Sequence, residues 1–403
     1  MNDARKAILI PVLCAAAVFA LTLGVRQSMA LFIGPLNTST GLGLGALSLA
    51  FGIGQLMWGV GQPVGGALAD RYGSSRVLVT GALMVALGTA LTPLMHSQLA
   101  LMLTIGVLAA GGAGIAGPAI LMSALVRLIP AEKRGMATGM VNAGGSFGQF
   151  VILPLAALLL TTTGWENALY VLGALSMLVI PLSVKLWLPG TTGQAAPGTP
   201  AGPTMKAAVA DAFGDSNFLL LAAGFFVCGF HVAFIATHLP GVIASCGLPP
   251  TVGAWSLAII GLFNIAGSFG IGWAMNRWRS KSLLSLIYAA RGLIVLGFMF
   301  APKTGVTFIV FAALIGLTYL STVPPTAGLV AKFYGPQYMA TLFGMVMLTH
   351  QIGGFLGAYL GGRAFVATGN YDWMWYADIV LAVGAALIHL PIREKLILRT
   401  AAA

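Results

Sequence analysis

The chain has 403 residues, 58% of them hydrophobic and only 7% charged, with 20 basic against 9 acidic side chains and a net charge of +11. An ordinary soluble protein carries about 25% charged residues, so this composition excludes a water-facing globule and leaves a polytopic membrane protein. The basic residues are scattered through short connecting segments rather than gathered into the stripe or arm that nucleic acid requires, so no nucleic-acid partner is expected.

Apolar runs of about 20 residues recur along the chain, each long enough to cross a bilayer as a helix. The first six fall at roughly 8–33, 45–69, 77–95, 99–124, 136–160 and 166–188. The second six fall at roughly 217–241, 251–275, 282–302, 306–331, 339–362 and 373–392. Between the sets lies one polar linker, 190–216, whose "GTTGQAAPGTPAGP" reads as a flexible connector. The expected fold is an all-α polytopic membrane protein: twelve transmembrane helices in two pseudo-symmetric six-helix bundles, 1–189 and 217–403. Arg5 and Lys6 ahead of the first run mimic a signal peptide. The run is of full transmembrane length, so it is read as the retained first span.

Taken in chain order, the polar residues inside these runs are few. Arg26 interrupts the first run in "GVRQSMALF"; an arginine in a membrane helix costs about 2.5–3.5 kcal/mol on an insertion scale, so it calls for something negative to hold. Asn142 lies in the fifth span, His231 in the seventh and Asn264 in the eighth. Arg291 sits at the middle of the ninth, too deep to reach an interface easily. Tyr319 and the pair Pro324-Pro325 fall in the tenth, where the prolines should kink the helix. His350 and Gln351 lie in the eleventh, and Asp378, toward the outer part of the twelfth, is the only acidic residue away from the first position of a span. Cys14, Cys228 and Cys246 are far apart and match no metal spacing. Neither a metal nor a cofactor is expected.

Orientation follows from the connecting segments. With both termini cytoplasmic, 16 basic residues lie inside, and only Lys303 and Arg363 lie outside. That bias decides the topology. A multi-pass protein of a bacterial inner (plasma) membrane is expected, with the lipid bilayer as its surroundings.

The two halves repeat each other. Gly66-Ala-Leu-Ala-Asp70-Arg71-Tyr-Gly73-Ser-Ser-Arg76 follows the second span, and Gly272-Trp-Ala-Met-Asn276-Arg277 follows the eighth at an offset of 206 residues. "NAGGSFG" at 142–148 echoes "QIGGFLG" at 351–357. Repeated halves with a site between them describe a secondary transporter.

The Gly66–Arg76 loop resembles the signature between helices two and three of the major facilitator superfamily. The resemblance extends over the whole chain. "GVRQSMALFIGPL", "CGFHVAFIATHLP" and "HQIGGFLGAYLGG" look more narrowly like bacterial members of the monocarboxylate porter and oxalate/formate antiporter branch. That branch handles organic anions, often lactate, pyruvate or related carboxylates. One departure matters: the branch places an anion-binding arginine in span eight, where this chain has Gly261–Phe269 without a basic residue.

The resemblance implies that spans one, four, seven and ten line a central cavity, which puts Arg26 near the pathway. Span nine is an outer helix in that fold, so Arg291 must turn inward, in a structural or a ligand-binding role. By the 206-residue offset His231 corresponds to position 25, so it should reach the depth of Arg26 from the other half. Substrate contacts are therefore expected among Arg26, Arg291, His231, His350, Asn142, Asn264, Tyr319 and Gln351, the uncharged ones also serving to pin helices. A gate is expected at Asp70, Arg71 and Arg76, paired with Asn276 and Arg277. With Asp378 read as lying off the pathway, the cavity is net positive and suits an anionic cargo. The expected function is a carrier of a small organic anion, a mono- or dicarboxylate, with proton symport favoured over anion exchange, acting as a monomer. A drug or metabolite efflux antiporter of the same fold is the alternative; span five lacks a Gly-Pro antiporter signature and no buried carboxylate is expected. No enzyme is expected, since the chain offers no His-x-x-Glu-His, no membrane Asp pair and no Ser–His dyad.

Overall fold

Every regular element in the computed structural model, which describes residues 3–187 and 204–395, is helical. The first half consists of α1 (Ile8–Thr40), α2 (Leu44–Tyr72), α3 (Ser74–Leu94), α4 (Gln98–Leu128), α5 (Ala131–Thr163) and α6 (Trp165–Leu186). The second consists of α7 (Ser216–Ser245), α8 (Thr251–Ala274), α9 (Ser280–Phe300), α10 (Gly305–Tyr334), α11 (Met339–Thr368) and α12 (Asp372–His389). Ten of these are long and apolar enough to cross a membrane; α2, with 29 residues, and α12, with 18, complete the twelve.

The burial pattern is that of a protein solvated by hydrocarbon. On α9, Arg291 is 2% exposed while Leu293, two positions on, is 69% exposed. On α12, Asp378 is 1% exposed and Val380 is 69% exposed. Charge turned inward and aliphatic surface turned outward is favourable only where no water bathes the outside.

The internal repeat is visible in which helices touch. Within the halves, α1 packs on α5 as α7 packs on α11, α2 on α4 as α8 on α10, and α3 on α6 as α9 on α12. Between the halves, α2 meets α11 and α8 meets α5, which are again equivalent pairs. Both seams are closed by glycine: a Cβ on Gly66 would collide with the Ala340 carbonyl, and one on Gly139 with the Ser268 carbonyl. Small residues let membrane helices pack this closely.

Two helices break and restart at proline. α4 widens to π geometry over Met102–Ala110, leaves the helix at Ala116 and Gly117, and restarts at Pro118. α10 stops at Thr318 and restarts at Val323, with Pro324 and Pro325 in the new first turn. Pro324 lies 206 residues after Pro118, the offset that separates Gly272 from Gly66. The expected kink in span ten is thus a full interruption. Proline in a first turn has no helical amide bond to lose, so it starts a helix without penalty. Of the linker expected at 190–216, residues 190–203 lie outside the described residues. Beyond them Met205–Gly214 is a helix, capped where Thr204 Oγ1 accepts from the Ala207 amide at 3.3 Å.

Candidate functional site

The partly buried Arg26 reaches across to α2, where its Nη2 donates to Gln55 Oε1, and its guanidinium lies 4.5 Å from the centre of the Trp58 ring. Gln55 Nε2 then donates to Gln351 Oε1 on α11 at 2.6 Å, and Gln351 Nε2 donates to His350 Nδ1 at 2.9 Å. The direction of this chain is forced from one end. An arginine can only donate, so Gln55 must present its oxygen to it and its nitrogen to Gln351, and Gln351 must do likewise toward His350. Two buried nitrogens are left without a partner, Arg26 Nε and His350 Nε2. Arg26, Gln351 and His350 are therefore brought together. Gln55 is the member sequence reasoning missed, although a glutamine in an apolar run was signal enough.

Asn142, Asn264, Tyr319 and Arg291 gather instead around the break in α10. The Leu320 amide donates to Asn264 Oδ1 at 2.9 Å, and the Leu320 carbonyl accepts from Asn142 Nδ2 at 3.0 Å. Asn142 Nδ2 also donates to Ser268 Oγ at 2.8 Å, and Asn264 Nδ2 to Ser146 Oγ at 2.5 Å. Arg291 Nη2 donates to the carbonyls of Thr318 and Tyr319, the latter at 2.5 Å. Backbone polar groups at membrane depth must be satisfied inside the protein. The side chains of Asn142, Asn264 and Arg291 do that for the broken turn.

His231 does not join the Arg26 network but faces α12. Its Nε2 stands 3.5 Å from Asp378 Oδ1, and both residues line a cavity of about 10 Å³, room for roughly one water, together with Arg291 and Tyr319. The expectation of a positive interior with no buried carboxylate is thereby corrected. Asp378 is the seventh residue of α12, in the N-terminal half of the helix, yet it is buried among the helices of its half.

At the end of the bundle where α2 meets α11, Asp70 is buried, and its Oδ2 accepts from the Thr341 amide at 2.9 Å and the Thr341 hydroxyl at 2.7 Å. A carboxylate in the first turn of α11 also complements that helix's positive end. The equivalent Asn276 is exposed, although a Cβ on Gly135 of the other half would lie 3.2 Å from its Oδ1. Arg277 stacks on Trp273, 4.1 Å from the ring centre, and Arg71 on Tyr72 at 5.2 Å. Arg76 is exposed. The repeat is therefore asymmetric in chemistry: one loop locks into the opposite half while its equivalent lies on the surface.

Residues 12–358 match the family model described as Major Facilitator Superfamily. The chain is 26% identical over 384 residues to monocarboxylate transporter 13 of Rattus norvegicus, covering 92% of this chain and 86% of that one. It is also 26% identical over 361 residues to the oxalate:formate antiporter of Oxalobacter formigenes, covering 87% and 82%. Among solved structures, the proton:xylose symporter XylE superposes with a TM-score of 0.77 at 14% identity, covering 98% of each chain. Twelve helices in two repeated halves, joined seam to seam by equivalent pairs, carry the same conclusion as the family match: this chain is a transporter, not an enzyme, and belongs to the Major Facilitator Superfamily.

Proposed function

We propose that the protein carries a small organic anion, a mono- or dicarboxylate, by alternating access, with proton symport ahead of anion exchange. One observation bears most of the weight: Arg26 is held against α2 by Gln55, itself bonded to Gln351 of the other half, with its Nε unpartnered. Arg26 offers a planar fork with donors to spare, and a carboxylate accepts two parallel bonds from such a fork. His350 Nε2, also unpartnered, ends the chain of hydrogen bonds that starts at Arg26. The names of the relatives that carry monocarboxylates, oxalate and formate support the same class.

The site is assigned to Arg26, His350 and Gln351, with Arg291, His231, Asn142, Asn264 and Tyr319 around the second half's broken helix. Asp70 and Arg71 form the gate with Arg76, Asn276 and Arg277. We place the monomeric protein in a bacterial inner membrane with both termini cytoplasmic, where the basic connecting segments agree with the positive-inside bias. The efflux alternative gains one point from Asp378, since a buried carboxylate is present after all. It still lacks the Gly-Pro signature in α5.

The test is thermal stability of the purified full chain against formate, oxalate, lactate and pyruvate. A ligand at 100 times its Kd stabilises the folded state by about 2.7 kcal/mol, so a true substrate gives a clear rise in Tm. Stabilisation by cationic drugs and by no carboxylate would replace this reading with efflux.

A further inference from the structure

The cavity enclosed by α7, α9, α10 and α12 contains an electrostatic problem. Asp378 is 1% exposed, and neither of its carboxyl oxygens has a hydrogen-bond partner. His231, 3% exposed, holds its unpartnered Nε2 3.5 Å from one of them. A buried carboxylate stripped of donors is strongly disfavoured, and a proton is the simplest group that removes the penalty.

The surroundings sharpen this. Arg291, from α9, lines the same cavity, yet its guanidinium donates to the Thr318 and Tyr319 carbonyls and to Cys228 Sγ at 3.5 Å. An ionised Asp378 would compete for that arginine, and a neutral one would not. Tyr319, from α10, has already given its hydroxyl to the Val232 carbonyl at 2.9 Å. From α7 only His231 is titratable among the lining residues, α11 contributes none, and aliphatic side chains close the rest.

We propose that His231 and Asp378 form a single proton-binding site, and that Arg291 transmits its occupancy to the break in α10. The proton arrives from water through the cavity. It rests either on Asp378, donating to His231 Nε2, or on His231, facing the carboxylate; the two arrangements are one site with a shared titration. Loading changes the cavity from neutral, with Arg291 and Asp378 cancelling, to a single positive charge. Release restores the carboxylate, which then draws Arg291 off the carbonyls at 318 and 319 and frees the broken turn. The site rests on the carrier reading above only for what the proton drives.

Infrared titration of the purified full chain from about pH 4 to about pH 9, bracketing free carboxyl and imidazole values, reads the site without any anion. The expected result is a protonated-carboxyl band that disappears as pH rises and is missing from Asp378→Asn. A band unchanged in that variant overturns the proposal. Should Asp378→Asn fail to fold, His231→Gln decides, because a shared site must move its midpoint by about one pH unit or more when one partner is removed; an unmoved midpoint overturns it equally. In proteoliposomes given labelled formate, oxalate and lactate under a pH gradient, Asp378→Asn should keep exchange and lose accumulation, and full accumulation by the variant sinks the idea. Arg291→Lys should keep the infrared titration while losing accumulation; loss of the titration itself would remove Arg291 from the transmitting role. If wild type carries none of these anions, the carrier reading fails, and the infrared result still decides the proton site.

Discussion

A guanidinium with one partner and five N–H donors is poised for a ligand, and Arg26 is held in that condition by Gln55 and Trp58. Replacing it by alanine should abolish the carboxylate-induced rise in Tm and the uptake, while the protein still inserts and purifies as a single species. Losing one side of a buried charge pair costs about 2–5 kcal/mol of binding, which takes a micromolar substrate to between about 30 μM and a few mM. Arg26→Lys should recover little, because the ammonium keeps the charge and loses the fork. Measured uptake by the alanine variant would end the anchoring role. Arg26 and Arg291 were legible in the sequence because charge in an apolar run is costly and must be answered by a partner, structural or ligand. Asp378 was legible as an oddity but not as a site. Its place toward the outer part of span twelve set it off the expected pathway, and its neighbour in the structure, His231, lies on a helix 147 positions earlier. No local pattern carries such a pairing.

At the scale of single helices, the contact of Asp70 with the start of α11 makes one arrangement of the halves more stable than the others. Hydrogen bonds to a charged group are worth about 1.5–3 kcal/mol, so Asp70→Asn should shift the population away from the closed seam by about tenfold or more. Exchange should slow and affinity should change only modestly. Labelling a single cysteine placed on the seam face of α2 reports the shift; lost binding with unaltered labelling would rule the latch out. Gly66→Val should act in the same direction and more strongly, since its side chain would have to occupy the position of the Ala340 carbonyl. The break in α10 was half visible, announced by Pro324-Pro325 but expected as a kink. The matching break in α4 gave the same kind of signal at Gly117-Pro118 and was overlooked. The partners of the broken turn, Asn142 from the other half among them, are set by the packing of α5 on α8, which no stretch of sequence displays.

For the molecule as a whole, the repeat predicts that both seams open and close together, because α2 with α11 and α8 with α5 are equivalent surfaces. Wild-type protein in proteoliposomes should accumulate a carboxylate against its gradient when an inward proton gradient is imposed. Swapping of labelled for unlabelled anion with indifference to that gradient would establish exchange instead. The twelve spans and their halving were readable because hydrocarbon solvation imposes a simple rule on each segment. Which halves touch, and through which side chains, is a property of two surfaces meeting. One such meeting has a further consequence. Gln55 lends its oxygen to Arg26 and ties the same amide to Gln351 across the seam, so in the unloaded protein it is a surrogate for the cargo. On the proposed reading, a carboxylate that takes the edge of the fork containing Arg26 Nη2 displaces Gln55, and displacement severs the tie between the halves at that depth. Gln55→Ala should therefore bind carboxylate more tightly and yet discriminate less between loaded and empty movement. On that reading a rival to the substrate is built into the wall, and its release reports that the carrier is full.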